Sequence, residues 1–374
     1  MSEVIGEGSY GCVHRPSLQC TKKKVGKNKI SKLMTRKHLN KELKEFKRIQ
    51  KIDKKNNFYL GKPSSCKPKK SKYNKKSIKD CEDFNYDKID DYELLLMDNG
   101  GITLEKFAKN MESSRKSRSN TQKVELFFIE VHRLIYGLKQ FLINDSIHHD
   151  VKPLNIVYNE KDNRLNYIDF GFMNSIEQIK EEARTSTYEF GISYWYFPME
   201  YMFMNYNEYV RLVNKSSSQR LNFVKYVTSN NQHNVTQNVN MFYDFLSCSR
   251  EYQKKNNAGL FHSINSQLAD KYEDFLDTTL RTFDIYGLGL SLYYVLNHVA
   301  HLLSDDLAEK LRTMFEKMIT ANIDERYKID DLLRDYEEFL EDSKLLSKYN
   351  VAFESHLLRK REIPLLSYLL GSQK

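Results

Sequence analysis

Residues 146–171 read SIHHDVKPLNIVYNEKDNRLNYIDFG, and this stretch decides how the rest of the chain is ordered. Asp150 lies five residues before Asn155, and Asp169 follows nineteen residues after Asp150. Two short apolar runs flank the turn-rich stretch 159–163, which predicts a β-hairpin. Because a hairpin holds its ends side by side, we expect Asn155 and Asp169 to converge. Both offer hard oxygen ligands of the kind that Mg²⁺ prefers.

Residues 148–155 and 169–171 resemble two motifs of the protein-kinase superfamily, the catalytic loop H-R-D-L-x-x-x-N and the metal loop D-F-G. The resemblance implies that Asp150 accepts the proton of the substrate hydroxyl, and that Asn155 and Asp169 hold Mg²⁺. It also implies that Lys152 balances charge on the transferring phosphoryl group. A lysine followed by proline is similar to the serine/threonine type. The alternative is a surface hairpin with ordinary turn residues, which is disfavoured because two motifs occur at compatible spacing.

The family resemblance implies an α+β, bilobal fold with a small β-rich N-lobe containing one main helix and a larger, mainly helical C-lobe. A chain of 374 residues, 40% of them hydrophobic, is long enough to fill two such lobes. We expect an N-lobe over 1–98, a C-lobe over 99–340 and a tail over 341–374. The insertions expected in both lobes and the lysine-rich composition are similar to those of divergent kinases of large DNA viruses.

Cysteine usage and hydropathy bear on the compartment. The five cysteines are odd in number and scattered, without zinc-binding spacing, so we expect reduced thiols in a cytosol-like compartment. No signal-peptide pattern and no apolar run of membrane-spanning length is present, so we expect no membrane span. These features favour a cytoplasmic protein, found in the host cytoplasm or the virion if the source is viral.

Charge is distributed unevenly along the chain. Residues 1–80 hold 24 Lys+Arg and 6 Asp+Glu, a net +18, whereas the remainder holds 35 and 44, a net −9. This asymmetry suggests an acidic partner for the basic N-lobe, such as nucleic acid, an anionic membrane or an acidic substrate. The favoured alternative is that the lysines solvate exposed faces. Nucleic acid is not favoured, because no aromatic stacking set accompanies the charge.

A glycine-rich stretch near the start has the spacing G-x-G-x-x-G, at Gly6, Gly8 and Gly11, followed by Val13. The Rossmann form of this spacing must open a helix, whereas Val13 and Pro16 favour a strand. The stretch resembles the kinase loop that covers ATP. In that loop, glycine lets backbone N–H groups approach phosphate, and Val13 would cover the adenine. The alternative is an ordinary hairpin turn.

The family also requires a strand lysine that contacts the nucleotide phosphates and a helix glutamate that pairs with it. Among several lysines we choose Lys32, because it has apolar neighbours on both sides, as on a half-buried strand. Residues 39–52 have helical spacing. Glu45 is favoured over Glu42 because strand, turn and helix start must fit between the two partners. Either glutamate could instead be a solvated partner of a helix lysine.

The stretch 92–97 predicts a buried strand that leads to the hinge between the lobes. By resemblance, backbone N–H and C=O groups of Asp98, Asn99 and Gly100 would form hydrogen bonds with the edge of the adenine ring. Met97 would lie behind the adenine. Before this strand, residues 56–90 include a basic, non-periodic segment, which we expect to be a mobile insertion.

In the C-lobe, residues 121–143 predict an amphipathic helix that leads to the catalytic loop. Residues 191–200 resemble the end of an activation segment, and Glu200 would pair with Arg326. Asp284 resembles an aspartate at a helix start that braces the catalytic loop. A long insertion, about 201–280, has apolar patterns compatible with helices, so the family's substrate-docking helices cannot be carried over.

Two further expectations concern regulation of the site. His149 replaces the catalytic-loop arginine, so the charge that usually receives an activation-loop phosphate is missing or pH-dependent. Phosphorylation of Thr185, Ser186 or Thr187 is therefore expected not to be required. By the same resemblance, Ser193 lies at the position where the family has a hydroxyl that bridges the base, here Asp150, and the catalytic-loop lysine, here Lys152.

Together these patterns predict a serine/threonine protein kinase that uses ATP and Mg²⁺ and acts on a protein hydroxyl. A small-molecule kinase shares the H-x-D, N and D pattern, but the glycine-rich stretch and Lys152 disfavour it. A third hypothesis, from a different class, is a catalytically weak pseudokinase scaffold that binds partners. A nucleic-acid-binding module over residues 1–80 is the fourth, and salt-dependent duplex binding would support it.

Overall fold

The computed structural model describes residues 2–8, 11–185, 194–229, 234–266 and 272–351. The chain has an α+β fold, as expected, with a five-stranded antiparallel sheet, two smaller sheets and an extensive helical region. It divides into two compact units. Unit 1 comprises residues 1–101 and 166–171, and unit 2 comprises residues 102–165 and 172–374.

Unit 1 is built on a five-stranded antiparallel sheet with the strand order β1-β2-β3-β5-β4. In chain order its elements are β1 Glu3–Gly8, β2 Gly11–Arg15, β3 Lys29–Thr35, α1 Arg36–Ile52, β4 Ser64–Cys66, α2 Lys72–Ile78, a 3₁₀ segment Tyr86–Asp91 and β5 Tyr92–Asp98. Apolar side chains on one face of the central strands, Leu33, Leu94 and Leu96, form a buried core with Ile78 and Ile89.

Helix α1 confirms the helix expected at 39–52, but it begins earlier, at Arg36. Thr35 is the last residue of β3 and also the N-cap, where its side chain accepts a hydrogen bond from the His38 N–H. Leu39, Phe46 and Ile49 are buried at helical spacing. The strand therefore passes directly into the helix, with no turn between them.

The expectation of a mobile insertion over 56–90 is wrong. The segment contains β4, α2 and the 3₁₀ segment, and it is fastened to the sheet. The Asn74 side chain accepts from the Gln19 N–H and donates to the Gln19 carbonyl, both at 2.9 Å. Such long-range bonds from a single buried amide leave no trace in hydrophobic periodicity, which is why the sequence pattern suggested disorder.

The expectation of reduced thiols is also wrong for four of the five cysteines. Cys12 is bonded to Cys81, and Cys20 to Cys66, while Cys248 is free. Both disulfides lie in unit 1 and tie the insertion to residues on or just after β2. Sequence spacing cannot reveal pairings of this kind, because the partners are 69 and 46 residues apart.

Unit 2 is mainly helical. Its helices are α3 Leu104–Glu112, α4 Arg118–Ile143, α5 Ile176–Thr185, α6 Tyr206–Val213, α7 Ser217–Ser229, α8 Asn234–Phe245, α9 Arg250–Ser266, α10 Tyr272–Val299, α11 Asp305–Ile319, α12 Ile329–Asp342 and α13 Leu345–Lys348. The short strands β6 Ile102–Thr103, β7 Ser146–Ile147, β8 Ile156–Asn159 and β10 Asn174–Ser175 accompany them. Strand β9, Arg164–Tyr167, begins in unit 2, and its last two residues belong to unit 1. Strand β6 pairs with β8, and β7 with β10.

Helices α4 and α10 carry the core of unit 2, since most of their apolar side chains are buried. Helix α4 confirms the helix expected at 121–143. Gly287 in α10 allows close packing, because a Cβ there would lie 3.0 Å from the Val151 Cβ. Asp284 lies in the middle of α10, not at a helix start as expected, because the helix begins twelve residues earlier at Tyr272.

The helices expected over about 201–280 are present among the described residues, which form α6, α7, α8, α9 and the first turns of α10. That this stretch is an insertion relative to the family stays a prediction. In the tail expected over 341–374, α12 continues to Asp342 and α13 follows, while 352–374 lie outside the described residues. Among the described helices, none combines the length and apolarity needed to cross a membrane.

Candidate active site

Asp150 lies at the centre of a hydrogen-bonded group in unit 2, and its side chain is only 4% exposed. Its carboxylate accepts from Lys152 Nζ at 3.0 and 3.1 Å, and from the Tyr196 hydroxyl at 2.8 Å. Asn155 Nδ2 donates to the same carboxylate at 2.6 Å. Donors from three side chains, one of them cationic, thus surround this buried carboxylate.

Asn155 is held in one orientation by Asp150. Its Nδ2 donates to the Asp150 backbone carbonyl at 2.9 Å as well as to the Asp150 carboxylate. Because both bonds use the amide nitrogen, Asn155 Oδ1 is the atom that could ligate a metal ion. Asn155 closes a 3₁₀ segment, Pro153–Asn155, and β8 follows it directly.

Tyr196 is the site residue that sequence reasoning missed. Its hydroxyl contacts both Asp150 and Lys152 Nζ, the latter at 3.2 Å, and the Lys152 ammonium lies 4.6 Å from its ring centroid. Ser193, expected to bridge this pair, lies outside the described residues. The signal for Tyr196 was the aromatic run 194–197 before Pro198, which we interpreted only as the end of the activation segment.

The loop 148–155 is anchored to α10 by Asp284, as expected. The Asp284 carboxylate accepts the backbone N–H of His148 at 2.6 Å and that of His149 at 2.9 Å. Burial raises the pKa of Asp284, and the nearby His148 and these two backbone bonds oppose that rise. The backbone at His149 is left-handed, with φ 64°, a conformation that these bonds help to hold.

His149 lies in an aromatic environment. Its ring stacks on Phe197 with centroids 5.6 Å apart, and it meets the Phe283 ring edge-on at 4.6 Å. Burial, followed by the neighbouring His148, lowers the pKa of His149 to about 4. This position is therefore neutral at physiological pH, and it offers no positive charge to a phosphate.

The predicted pair of Glu200 and Arg326 is confirmed. Arg326 donates to the two Glu200 carboxylate oxygens at 2.6 and 3.1 Å, and both side chains are fully buried. Arg326 also donates to the Thr320 carbonyl at 2.8 and 3.0 Å. The guanidinium is thus satisfied by bonds on both sides, which offsets much of the desolvation cost of the pair.

Helix α5, which follows the D-F-G motif, is tied to α10 by ion pairs. Lys180 contacts Asp277 at 2.7 Å, and Arg184 contacts Glu273 at 2.8 Å. Arg184 also contacts Glu177 at 2.8 Å. Of the three candidate phosphorylation sites, only Thr185 lies within the described residues, at the last position of α5.

In unit 1, the strand lysine pairs with Glu42 and not with Glu45. Lys32 Nζ lies 2.7 Å from Glu42 Oε2, and both side chains are about four-fifths buried. Our preference for Glu45 was wrong because it assumed a turn between strand and helix. Since β3 and α1 meet at Thr35, a helix residue only ten positions after Lys32 is the one within reach.

Glu45 lies beside the D-F-G motif instead. A Cβ at Gly171 would lie 3.7 Å from Glu45 Oε2 and 3.3 Å from Asp169 Oδ1, so glycine keeps this corner open. Burial, followed by the Glu42 charge, raises the pKa of Glu45. Phe170 packs edge-on against Phe46 of α1, with centroids 6.0 Å apart. Asp169 has a left-handed backbone, with φ 61°.

The glycine-rich stretch forms the strand pair β1–β2, so its glycines do not open a helix. Gly8 faces Gly11 and Gly6 faces Val13 across the pair, while positions 9 and 10 at the tip lie outside the described residues. Gly11 is required by close packing, because a Cβ there would lie 2.8 Å from the Leu33 carbonyl oxygen. Val13 faces Lys32 across β2 and β3.

The expected hinge residues follow the sheet. Met97 and Asp98 end β5, and Asn99 and Gly100 come directly after it. Asp98 pairs with Lys29 at 2.7 Å, and the Asn99 N–H donates to the Asn28 carbonyl at 3.1 Å. Unit 1 ends at Gly101, three residues beyond the expected boundary at 98. Adenine recognition by these residues stays a prediction.

Asn155 belongs to unit 2 and Asp169 to unit 1, so their convergence also stays a prediction. Taken singly, an amide oxygen held in a fixed orientation and a carboxylate fit the oxygen preference of Mg²⁺. No protein-family model matches the chain, and no curated protein matches it. What the site does is therefore inferred from its motifs and its geometry.

Proposed function

We propose that this chain is a serine/threonine protein kinase that transfers the γ-phosphoryl group of ATP to a hydroxyl of a protein substrate. The observation that carries the proposal is the group formed by Asp150, Lys152 and Asn155, buried and mutually hydrogen-bonded. Ordinary turn residues of a surface hairpin would be solvated. A carboxylate that is 4% exposed and surrounded by donors is instead typical of a functional site.

Asp150 is suited to orient an acceptor hydroxyl and to take its proton as the new bond forms. The carboxylate is held by Asn155 and by the loop backbone, which Asp284 anchors, so little reorganisation is needed. Lys152 lies next to that carboxylate. Its ammonium group would balance the negative charge that develops on the transferring phosphoryl group. The chemistry supplied by bound ATP and Mg²⁺ is the activated phosphoryl group and its charge neutralisation.

The remaining predicted site residues have supporting roles. Lys32, held by Glu42, would contact the nucleotide phosphates, and the backbone of the glycine-rich strand pair would cover them. Asn155 Oδ1 and Asp169 would hold Mg²⁺. The substrate is expected to be a protein, since Lys152 and the segment that ends at Glu200 favour that class over small molecules.

A phosphotransfer assay tests this proposal. Wild-type protein, Asp150→Asn and Asp169→Ala would be incubated with radiolabelled ATP and Mg²⁺, on the chain itself and on a basic and an acidic generic protein substrate. We expect Asp150→Asn to lower the rate at least about 100-fold. Asp162→Asn makes the same chemical change in the exposed hairpin turn and should leave the rate unchanged. Full activity in Asp150→Asn or in Asp169→Ala would refute the proposed roles.

A further inference from the structure

Two neighbouring attachments hold the glycine-rich strand pair to residues 81–83. Cys12, directly after Gly11, is bonded to Cys81. Across the strand pair, Glu7 faces Cys12, and its carboxylate accepts the backbone N–H of Glu82 at 3.0 and 3.1 Å. One attachment is covalent and the other is polar and exposed. When the covalent bond is open, the polar attachment and the pairing of β2 with β3 are the remaining restraints on this strand pair that these contacts show.

A histidine lies beside the covalent attachment. His14 Nε2 is 3.6 Å from Cys81 Sγ, and the His14 ring is fully buried. Nδ1 lies 3.2 Å from the Cys12 carbonyl, a shorter contact than the 3.4 Å from Nε2 to the Ser77 carbonyl. With its proton on Nδ1, the imidazole presents the Nε2 lone pair to the sulfur. Burial lowers the pKa of His14, so the ring is neutral before any proton is transferred to it.

We propose that Cys12 and Cys81 form a redox switch that controls the mobility of the glycine-rich strand pair, with His14 as the base that activates Cys81. The mobility of the strand pair is independent of the proposed kinase function. The consequence for nucleotide affinity rests on that function. When the bond is closed, the strand pair is pre-ordered; when it is open, ordering must be achieved during nucleotide binding, which weakens affinity.

The chemistry is thiol–disulfide exchange with a small-molecule or protein disulfide as oxidant. Cys81 is 7% exposed and Cys12 is fully buried, so Cys81 is the sulfur that reacts first. His14 takes the Cys81 proton, and the Cys81 thiolate attacks one sulfur of the oxidant to form a mixed disulfide, while the other sulfur of the oxidant leaves as a thiolate and takes up the proton from His14. The Cys12 thiolate then attacks Cys81 Sγ, and the second thiol leaves with the Cys12 proton. Two electrons pass to the oxidant, and a dithiol reductant reverses both steps.

The second disulfide provides a matched control. Cys20 and Cys66 also cross-link unit 1, over 46 residues compared with 69. Cys66 lies in β4, at the edge of the sheet opposite β1. Loss of either bond therefore frees a chain loop of similar length. Only loss of the Cys12–Cys81 bond releases the glycine-rich strand pair.

Hydrogen exchange of the backbone amides in β1 and β2 is the primary measurement, because it needs no nucleotide. Oxidised wild type, wild type reduced with a dithiol, Cys12→Ser/Cys81→Ser and Cys20→Ser/Cys66→Ser would be compared. Thiol state would be verified by alkylation and mass spectrometry. We expect at least about fivefold faster exchange in reduced wild type and in Cys12→Ser/Cys81→Ser, and no such change in Cys20→Ser/Cys66→Ser. A fluorescent ATP analogue should bind about fivefold more weakly to the same two forms.

An unchanged rate of hydrogen exchange in β1 and β2 of reduced wild type would overturn the switch. Equally faster exchange in both double variants would also overturn it, because it would indicate a general loss of stability. Binding of Zn²⁺ by reduced wild type, seen by native mass spectrometry with unaltered exchange, would also overturn it in favour of a metal site. If exchange responds as expected but no state binds nucleotide, the proposed kinase function fails and the switch stands. His14→Gln should slow reoxidation by oxidised glutathione without changing the final disulfide; an unaltered rate would refute the role of His14.

Discussion

The Tyr196 hydroxyl donates to Asp150 Oδ1 at 2.8 Å and lies 3.2 Å from Lys152 Nζ, so one phenol links the proposed base to its neighbouring cation. Tyr196 itself is almost fully buried. It therefore limits where the Asp150 carboxylate and the Lys152 ammonium can lie relative to each other.

Tyr196→Phe removes this link but keeps the ring. Because a hydrogen bond to a charged group is lost, we expect kcat to fall about 10- to 100-fold, with KM for ATP unchanged. Steady-state kinetics would measure both constants. Tyr194→Phe, at the exposed ring that stacks on Tyr196, is the matched control and should be close to wild type. Equal effects of the two substitutions would argue against a specific role for the Tyr196 hydroxyl.

Exchange of the two α1 glutamates for glutamine separates their roles. Glu42→Gln breaks the pair with Lys32 and should lower phosphotransfer at least about 10-fold, because the lysine loses its partner. Glu45→Gln should reduce activity less. The reverse order of effects, measured under identical conditions with both variants shown to be folded, would restore Glu45 as the functional partner.

Glu45→Gln also carries a pH prediction. The pKa of Glu45 is raised in the folded chain above its ordinary 4.5, so ionisation of this group opposes folding. That cost is absent below about pH 4.5, where both states are protonated, and it is complete above the raised pKa. Glu45→Gln should therefore stabilise the protein at pH 8 relative to wild type and give no gain at pH 4. Thermal unfolding at the two pH values measures this, and an equal gain at both would contradict it.

The Glu200–Arg326 pair should dominate the stability of unit 2. Arg326→Met leaves the buried Glu200 charge without its partner, and we expect a loss of about 3–5 kcal/mol in the free energy of unfolding. Arg334→Met removes an exposed arginine from ion pairs in the next helix and should change little. Urea unfolding of both variants is the test. Similar losses in the free energy of unfolding would contradict the expectation that the buried pair contributes more to stability than the exposed ion pairs.

Phosphorylation of residues 185–187 is expected to be unnecessary. His149 is neutral, so position 149 offers no charge for a phosphate, and α5 is already held by ion pairs to Asp277 and Glu273. The triple alanine variant of 185–187 should keep phosphotransfer within about twofold of wild type. Activity lost in this variant while its thermal unfolding is unaltered would show that a modification at this segment matters.

The parts of the fold that the sequence predicted well depend on local periodicity or on close motifs. Helices α1 and α4 follow from buried residues at helical spacing. The group of Asp150 and Asn155 follows from a five-residue separation, and the anchoring by Asp284 and the pairing of Arg326 follow from family motifs.

The parts that were missed depend on contacts between residues distant in sequence or on details of chain geometry. The pairing of Cys12 with Cys81 spans 69 residues and has no local signature. The choice of Glu42 depends on the direct junction of strand and helix at Thr35, which propensities do not resolve to single residues. Tyr196 belongs to an aromatic run in which no pattern marks the one hydroxyl that reaches Asp150.

The low pKa of His149 has a consequence for acidic surroundings. Between about pH 5 and pH 8 the folded chain gains no proton at this position, so His149 cannot act as a pH switch in this range. The unfolded chain, however, takes up a proton there as the pH falls through about 6.5. Through His149, mild acid therefore lowers the free energy of unfolding while the native charge at this one position stays as it was.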